Sequence, residues 1–217
     1  MQKGGSNHYM NKPEQDNIQL LQKLGTFEKY CCIYADPPWS KNQKGKLGAI
    51  GHYDLMTLEQ IQRMPIRALS HEDAMAWLWV PQGLIPEGLE VLKSWGYRYI
   101  DEMIWDKYYL GLGRYLRHTH ETMLLGIRGK PELKFRAQPS LVRAPRQDHS
   151  HKPEEFFPII ERISHPPYLE LFSRRRPTSA CPEQWDVWGN EIASDLYIPG
   201  YPVPQYSAKA VLPEEAR

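Results

Sequence analysis

The run Tyr30 to Ala35 (YCCIYA) carries no charge and stops abruptly at Asp36-Pro37-Pro38-Trp39. A short, continuously apolar run is the pattern of a strand buried on both faces, as in a parallel sheet whose two sides are covered by helices. The two prolines end it, because neither offers an N–H to a strand ladder and each biases the residue before it toward extended backbone. The chain therefore leaves the sheet at Asp36, beyond the carboxyl end of a strand, where open α/β sheets hold their ligands.

Runs of the same kind recur at Met75 to Val80 (MAWLWV), Tyr99 to Trp105, Thr122 to Ile127, Tyr168 to Phe172 and Trp185 to Trp188. Helical stretches separate them. Thr57-Leu58-Glu59-Gln60 reads as a capping box opening a helix through about Met64. Pro86 to Trp95 is a second helix, with proline at its start and Gly96 just past its end. Glu154 to Ile163 is a third that must kink or start late, because Pro158 lies inside it. Alternating strands and helices predict an α/β domain with a mostly parallel sheet. We place that domain at residues 17–193, after a polar, flexible N-terminal arm (1–16) and before a proline-rich, irregular C-terminal tail (194–217).

Composition removes several classes. With 27 Lys plus Arg against 26 Asp plus Glu, no global basic field marks a polyanion partner, so nucleic-acid contact must come from local patches. Three cysteines, two of them adjacent (Cys31, Cys32), form neither an even framework nor a C-x-x-C pair, which points to a reducing compartment, the cytoplasm. His149, His151 and Cys181 lack metal-ligand spacing, and no metal is expected. No apolar run reaches the ~20 residues of a membrane span.

The Asp-Pro-Pro-Trp segment can be simply a rigid turn after a strand, but its residue types also fit the chemistry of a planar amine. The exocyclic amine of adenine is a poor nucleophile because its lone pair is delocalised into the ring. Acceptors must hold its two hydrogens, and the Asp36 carboxylate can take one while a carbonyl of the Pro37-Pro38 segment takes the other. The prolines pre-set the loop, and Trp39 offers an aromatic face to an extruded base.

These residues resemble the DPPW-type family of N(6)-adenine methyltransferases, the family of the catalytic subunit of the eukaryotic messenger-RNA adenosine methyltransferase. The likeness runs from about Gly25 to Ile192. It includes His52-Tyr53, Leu78-Trp79-Val80, Ile104-Trp105, His120-Glu121, His151-Lys152-Pro153-Glu154, Leu169-Glu170-Leu171-Phe172 and Gly189-Asn190-Glu191. The resemblance implies a Rossmann-like class I methyltransferase fold whose catalytic loop precedes the cofactor-binding strand, here Tyr168 to Phe172. The chain accordingly lacks an early G-x-G-x-x-G. It implies S-adenosylmethionine as cofactor, with Asp36 at both the amine and the methionine end, Lys152 facing the cofactor carboxylate, and Arg174, Asn190 and Glu191 addressing its ribose and adenine. Tyr53, Trp105 and Glu121 would border the target base, although a strand tryptophan such as Trp105 is also an ordinary core residue. The chain departs from the family at Ser173, where glycine is usual, at Glu191, where glutamine is usual, and at Arg175-Arg176-Pro177.

Three basic clusters are candidates for phosphate contact: Lys41, Lys44 and Lys46; Arg143 and Arg146 with His149 and Lys152; and Arg114 with Arg117. The glycine-rich stretch Lys41 to Gly51 reads as a lid. The expectation is adenine N(6) methylation of DNA by a monomer or homodimer. RNA is the competing substrate, a catalytically silent nucleic-acid-binding scaffold is a rival of another class, and methylation of a small molecule or a protein glutamine is a weaker one.

Overall fold

A computed structural model describes residues 29–40, 55–111, 115–146 and 151–214. Tyr53, Lys41, Lys44, Lys46, Arg114 and His149, with the expected lid and the N-terminal arm, lie outside the described residues. The six apolar runs are all strands: β1 (Tyr30–Ala35), β2 (Ser70–Val80), β3 (Arg98–Asp106), β4 (His120–Arg128), β6 (Tyr168–Leu171) and β7 (Trp185–Trp188), with β5 (Leu141–Arg143) added between β4 and β6. They form one sheet in the order β5-β3-β4-β2-β1-β6-β7. β1 pairs in parallel with β2 and β6, β6 with β7 and β3 with β5, while β4 runs antiparallel to β2 and β3. Only β4 is reversed, so the mostly parallel α/β expectation holds and the architecture is the Rossmann-like one.

Local chemistry sets the helix boundaries. The capping box that opens α1 (Leu58–Gln62) is complete: Gln60 N–H donates to Thr57 Oγ1 at 3.2 Å and Thr57 N–H to Gln60 Oε1 at 2.8 Å. A short α2 (Ile66–Leu69) leads directly into β2. The next helix, α3 (Ile85–Ser94), closes at Gly96 with φ of 86°, where Tyr97 N–H reaches Leu92 O and Gly96 N–H reaches Lys93 O, the paired bonds of a Schellman stop. The last, α4 (Phe156–Ile163), starts late rather than kinking. Pro158 then stands in its first turn, where a missing N–H is no loss.

Period-two alternation divides the buried residues between the two faces of the sheet. Ile33, Ala35, Leu78 and Val80 share one core with Ile61 of α1 and Val91 and Leu92 of α3, whereas Cys32, Tyr34, Trp77 and Trp79 share the other with Phe156, Phe157 and Ile160 of α4. Trp95 Nε1 donates to Ile61 O at 2.8 Å and ties α3 to α1.

Among the described residues 194–214, pairing is limited to isolated bridges, Ser194 with Tyr206 and Ile198 with Tyr201. These residues nevertheless bury Leu196, Ile198 and Val203 in the first core. Asp195 anchors them. Its carboxylate takes both terminal nitrogens of Arg176, Ser207 Oγ at 2.6 Å and Val187 N–H at 3.0 Å.

Candidate active site

From β1 the chain runs one way to β2, and β6, on the other side of β1, continues to β7. The switch point therefore falls between β1 and β6, and the loops after these strands emerge side by side. Asp36 is the first residue beyond β1. The reversed strand β4 begins at the same edge, which brings its second residue, Glu121, to Asp36. Lys152, just before α4, lies between them.

Lys152 Nζ is 2.5 Å from Asp36 Oδ2 and 3.4 Å from Glu121 Oε2, and Lys107 Nζ is 3.1 Å from Glu121 Oε1. Four side chains thus form an alternating chain, Lys107–Glu121–Lys152–Asp36. The side chains of Asp36 and Glu121 keep 33% and 32% of their surface exposed and that of Lys152 keeps 15%. Burial would lower the Lys152 pKa, but Asp36 and Glu121 reverse that and hold the ammonium above the ordinary lysine range. Burial raises the Asp36 pKa, and Lys152 only partly offsets it. Glu121 feels burial in the same sense, but the pull of Lys152 and Lys107 exceeds it and keeps the carboxyl low. Lys152 is thus a cation whose charge is favoured by the two carboxyl groups on either side of it.

The loop itself is fastened. Trp39 N–H donates to Pro37 O and Met56 N–H to Pro38 O, both at 2.9 Å, so each prolyl carbonyl keeps one lone pair for a further donor. Trp39 corrects an expectation. It is 4% exposed in the first core and its indole N–H donates to Trp79 O at 3.2 Å, so its ring is packing rather than a free stacking face. The reason is its backbone bridge to Met56, which draws the residue back toward the sheet. Trp105 likewise is a core tryptophan, 3% exposed, edge-on to Trp79, with its N–H on Ala144 O at 2.8 Å.

At the neighbouring exit, Phe172 has φ of 65° and Ser173 N–H donates to Trp188 O at 2.9 Å. An added Cβ on Gly189 would lie 2.0 Å from Ser173 O, so only glycine allows the ends of β6 and β7 to approach this closely. Arg174 Nε stands 2.9 Å from Glu191 Oε1, and Arg174 is close enough to Asp36 to favour its charge. Asn190 is exposed in the turn after β7. Among the described residues, buried Trp188 Nε1 has no hydrogen-bond partner, an orphan donor at this end of β7.

Arg143 and Arg146 are both exposed at the exit of β5, with Arg143 Nε 3.1 Å from Asp106 Oδ2. They do not join the Asp36 network.

Two residues that the sequence reading left without a role belong to this neighbourhood. Lys107 is the outer end of the charge chain. Glu170, inside β6, has its pKa pushed up to about 8, by burial first and also by the nearby charges of Glu154 and Asp36. Ser173 Oγ lies 3.0 Å from Glu170 Oε2 and 2.7 Å from Arg175 O. A hydroxyl has one proton, so it serves one of these contacts at a time, and a protonated Glu170 serves the other. A lone acid inside an apolar strand was the available signal.

Comparison with known proteins adds a family match and three relatives. The MT-A70 family model matches residues 30–191. The chain is 30% identical over 194 residues to a protein of Medicago truncatula named putative N(6)-adenosine-methyltransferase MT-A70-like, covering 85% of this chain and 30% of that one. It is also 30% identical over 174 residues to the human N(6)-adenosine-methyltransferase catalytic subunit METTL3, covering 76% and 28%. A type II methyltransferase of Mycoplasma sp, M.MunI, is 27% identical over 194 residues, covering 76% of this chain and 78% of that one. The chain thus spans less than a third of the length of the plant and human relatives.

Proposed function

The chain belongs to the MT-A70 family, and from that footing we propose that it transfers a methyl group from S-adenosylmethionine to the exocyclic N(6) amine of adenine in DNA. The observation that carries this reading is the half-open Asp36 carboxylate at the switch point, 2.5 Å from Lys152 and fixed there by a proline loop.

The side chains suit the cofactor. Its methionine end bears an ammonium and a carboxylate together, and Asp36 beside Lys152 presents one group of each opposite sign. Glu191 can accept from paired ribose hydroxyls, and the orphan Trp188 N–H adds a donor at the same edge. Arg174 and Asn190 complete the set on the β6 and β7 side. When bound, the cofactor supplies an electrophilic methyl carbon.

The protein's own task is to prepare the amine. Asp36 accepts one N–H of adenine and the free lone pair of Pro37 O the other, which turns the nitrogen lone pair out of the ring plane and toward the methyl donor. The proton lost by the amine after transfer passes to Asp36, whose raised pKa makes it a better acceptor than a surface aspartate. Trp39 supports the loop from behind. Arg143 and Arg146, with Lys41, Lys44, Lys46 and Tyr53, are our candidates for contacts to the strand and the base, and Glu121 is the candidate carboxylate at the base edge.

DNA is favoured because the match to the type II methyltransferase covers 78% of that protein's length. RNA is the second reading, favoured by the higher identity to proteins named N(6)-adenosine methyltransferases. We assign the cytoplasm, a reading that Cys31, Cys32 and Cys181 support because none of them is joined in a disulfide, and a monomer or homodimer. Among the described residues no helix is long and apolar enough to cross a membrane.

The test is incorporation of labelled methyl into single-stranded DNA, duplex DNA and RNA of equal sequence. We expect transfer to adenine, greatest in DNA, and loss of at least a hundredfold in Asp36→Ala. No transfer to any of the three, with Asp36→Ala binding cofactor as well as the wild type, overturns the assignment.

A further inference from the structure

Among the described residues, every large apolar side chain that is more than half exposed lies in one loop. Tyr108, Tyr109, Leu110, Tyr115 and Leu116, between β3 and β4, are 59% to 89% exposed, and no other reaches 50%. An exposed cluster of this kind marks an interaction surface. It sits at the edge that carries the charge network, because the residue before Tyr108 is Lys107, the outer end of the chain that leads through Glu121 and Lys152 to Asp36.

The loop is held out by identifiable bonds. Lys107 N–H donates to Thr119 O at 2.8 Å and Gly111 N–H to His118 O at 2.7 Å, closing its neck. Tyr108 has φ of 62°, a left-handed backbone that few non-glycine residues adopt, and its N–H is held by Asp106 Oδ1 at 3.1 Å. Such strain persists only where surrounding bonds over-determine it, and it gathers at functional sites. The other oxygen of Asp106 takes Arg143 Nε, so the turn presenting Tyr108 is wired to an exposed arginine, and Arg117 is exposed on the loop's return limb.

Two adjacent exposed tyrosines flanked by two exposed arginines offer ring faces and cations together, the pair of features that an unpaired nucleotide strand uses. Stacking platforms beside cations are how proteins hold unpaired strands, since every unpaired base has a free ring face and every nucleotide a phosphate, whereas in a duplex those faces are already stacked. Resting on the nucleic-acid reading above, we propose that the Tyr108-Tyr109-Leu110 turn is a stacking platform for unpaired nucleotides next to the target adenine, with Arg117 and Arg143 on their phosphates. The substrate is therefore a strand that is unpaired around the modified base.

Fluorescence anisotropy with a labelled adenine-containing single strand and its blunt duplex tests this. The probe proteins are the full chain, the double variant Tyr108→Ala/Tyr109→Ala, and its conservative counterpart Tyr108→Phe/Tyr109→Phe. We expect the wild type to prefer the single strand. The alanine variant should lose about ten- to a hundredfold in affinity for it, and the phenylalanine variant should keep most. Titration with S-adenosylmethionine should be unchanged in all three. Unaltered single-strand affinity in the alanine variant overturns the proposal. So does a wild-type dimer, seen by sedimentation, that the alanine variant converts to monomer, because the loop would then be an interface between copies. A wild type that binds single strands through these tyrosines but transfers no methyl group supports the platform and defeats only the activity.

Discussion

Lys152 Nζ lies 2.5 Å from Asp36 Oδ2 across 116 positions of sequence. The lysine comes from the segment before α4 and the aspartate from the end of β1, so only the closed sheet brings them together. Removing the lysine leaves two partly buried carboxylates facing each other. Lys152→Met should lower stability by about 1–3 kcal/mol, less than for a fully buried pair because Asp36 keeps a third of its surface. It should also weaken cofactor binding at least tenfold. Thermal melts and calorimetry check this, and Lys152→Met/Asp36→Asn should recover stability but not activity. A single variant as stable as the wild type contradicts the account.

Glu170 predicts a pH signature. Its pKa is raised from an ordinary 4.5 to about 8, burial being the main cause. The folded protein therefore holds a proton that the unfolded chain releases between those values. Stability from this group is full below the unfolded value and falls as pH rises toward 8. Glu170→Gln, which keeps the neutral shape, should flatten the decline in melting temperature between pH 5 and about 8. An unchanged pH profile would mean that the acid is ionised in the native state.

Asp195 predicts the opposite sign. Burial would raise its pKa, but Arg176, Ser207 and Val187 N–H together bring it below the ordinary 3.8. Its contribution is present above the unfolded value and disappears as pH falls through the lower folded one. Its side chain is fully buried, so Arg176→Ala leaves an unpaired interior carboxylate and should destabilise by about 3 kcal/mol at neutral pH. Arg176→Lys should recover only part, since lysine lacks the two-pronged geometry. The comparison is made by urea unfolding at pH 7 and at a pH well below the ordinary 3.8, and a deficit equal at both would refute the ionic explanation.

Gly189→Ala should displace Ser173, whose carbonyl would lie 2.0 Å from the new carbon. Because the obstacle is backbone, the ends of β6 and β7 must part. Cofactor affinity should drop more than tenfold while Gly189→Ala keeps most of its helical circular-dichroism signal. Wild-type binding in this variant would show that the close approach is dispensable.

Most strands were legible from apolar stretches that the sheet buries, as in β1 and the second half of β2, whereas β3 carries Asp101 and Glu102 in an exposed first half. β5 was not legible. Of Leu141, Val142 and Arg143, only Val142 is buried, and three residues at a sheet edge carry no period. The proline loop announced its chemistry through residue type, yet the burial of Trp39 did not follow from the motif. An aromatic after Pro-Pro can face a ligand or the sheet, and the Met56 bridge decides between them.

Local sequence determined where elements begin and end: the proline stop after β1, the Thr57–Gln60 box, the Gly96 terminus and the delayed start of α4. These are contests between neighbouring backbone groups, settled within a turn of chain. Tertiary structure alone decided which charges meet. Reversal of β4 put Glu121 at the same edge as Asp36, strand order set β6 beside β1, and the two together gave Lys152 two carboxylates and Glu170 its retained proton. Such effects depend on distance and burial between segments far apart in the chain, and neither quantity is written in any window of residues.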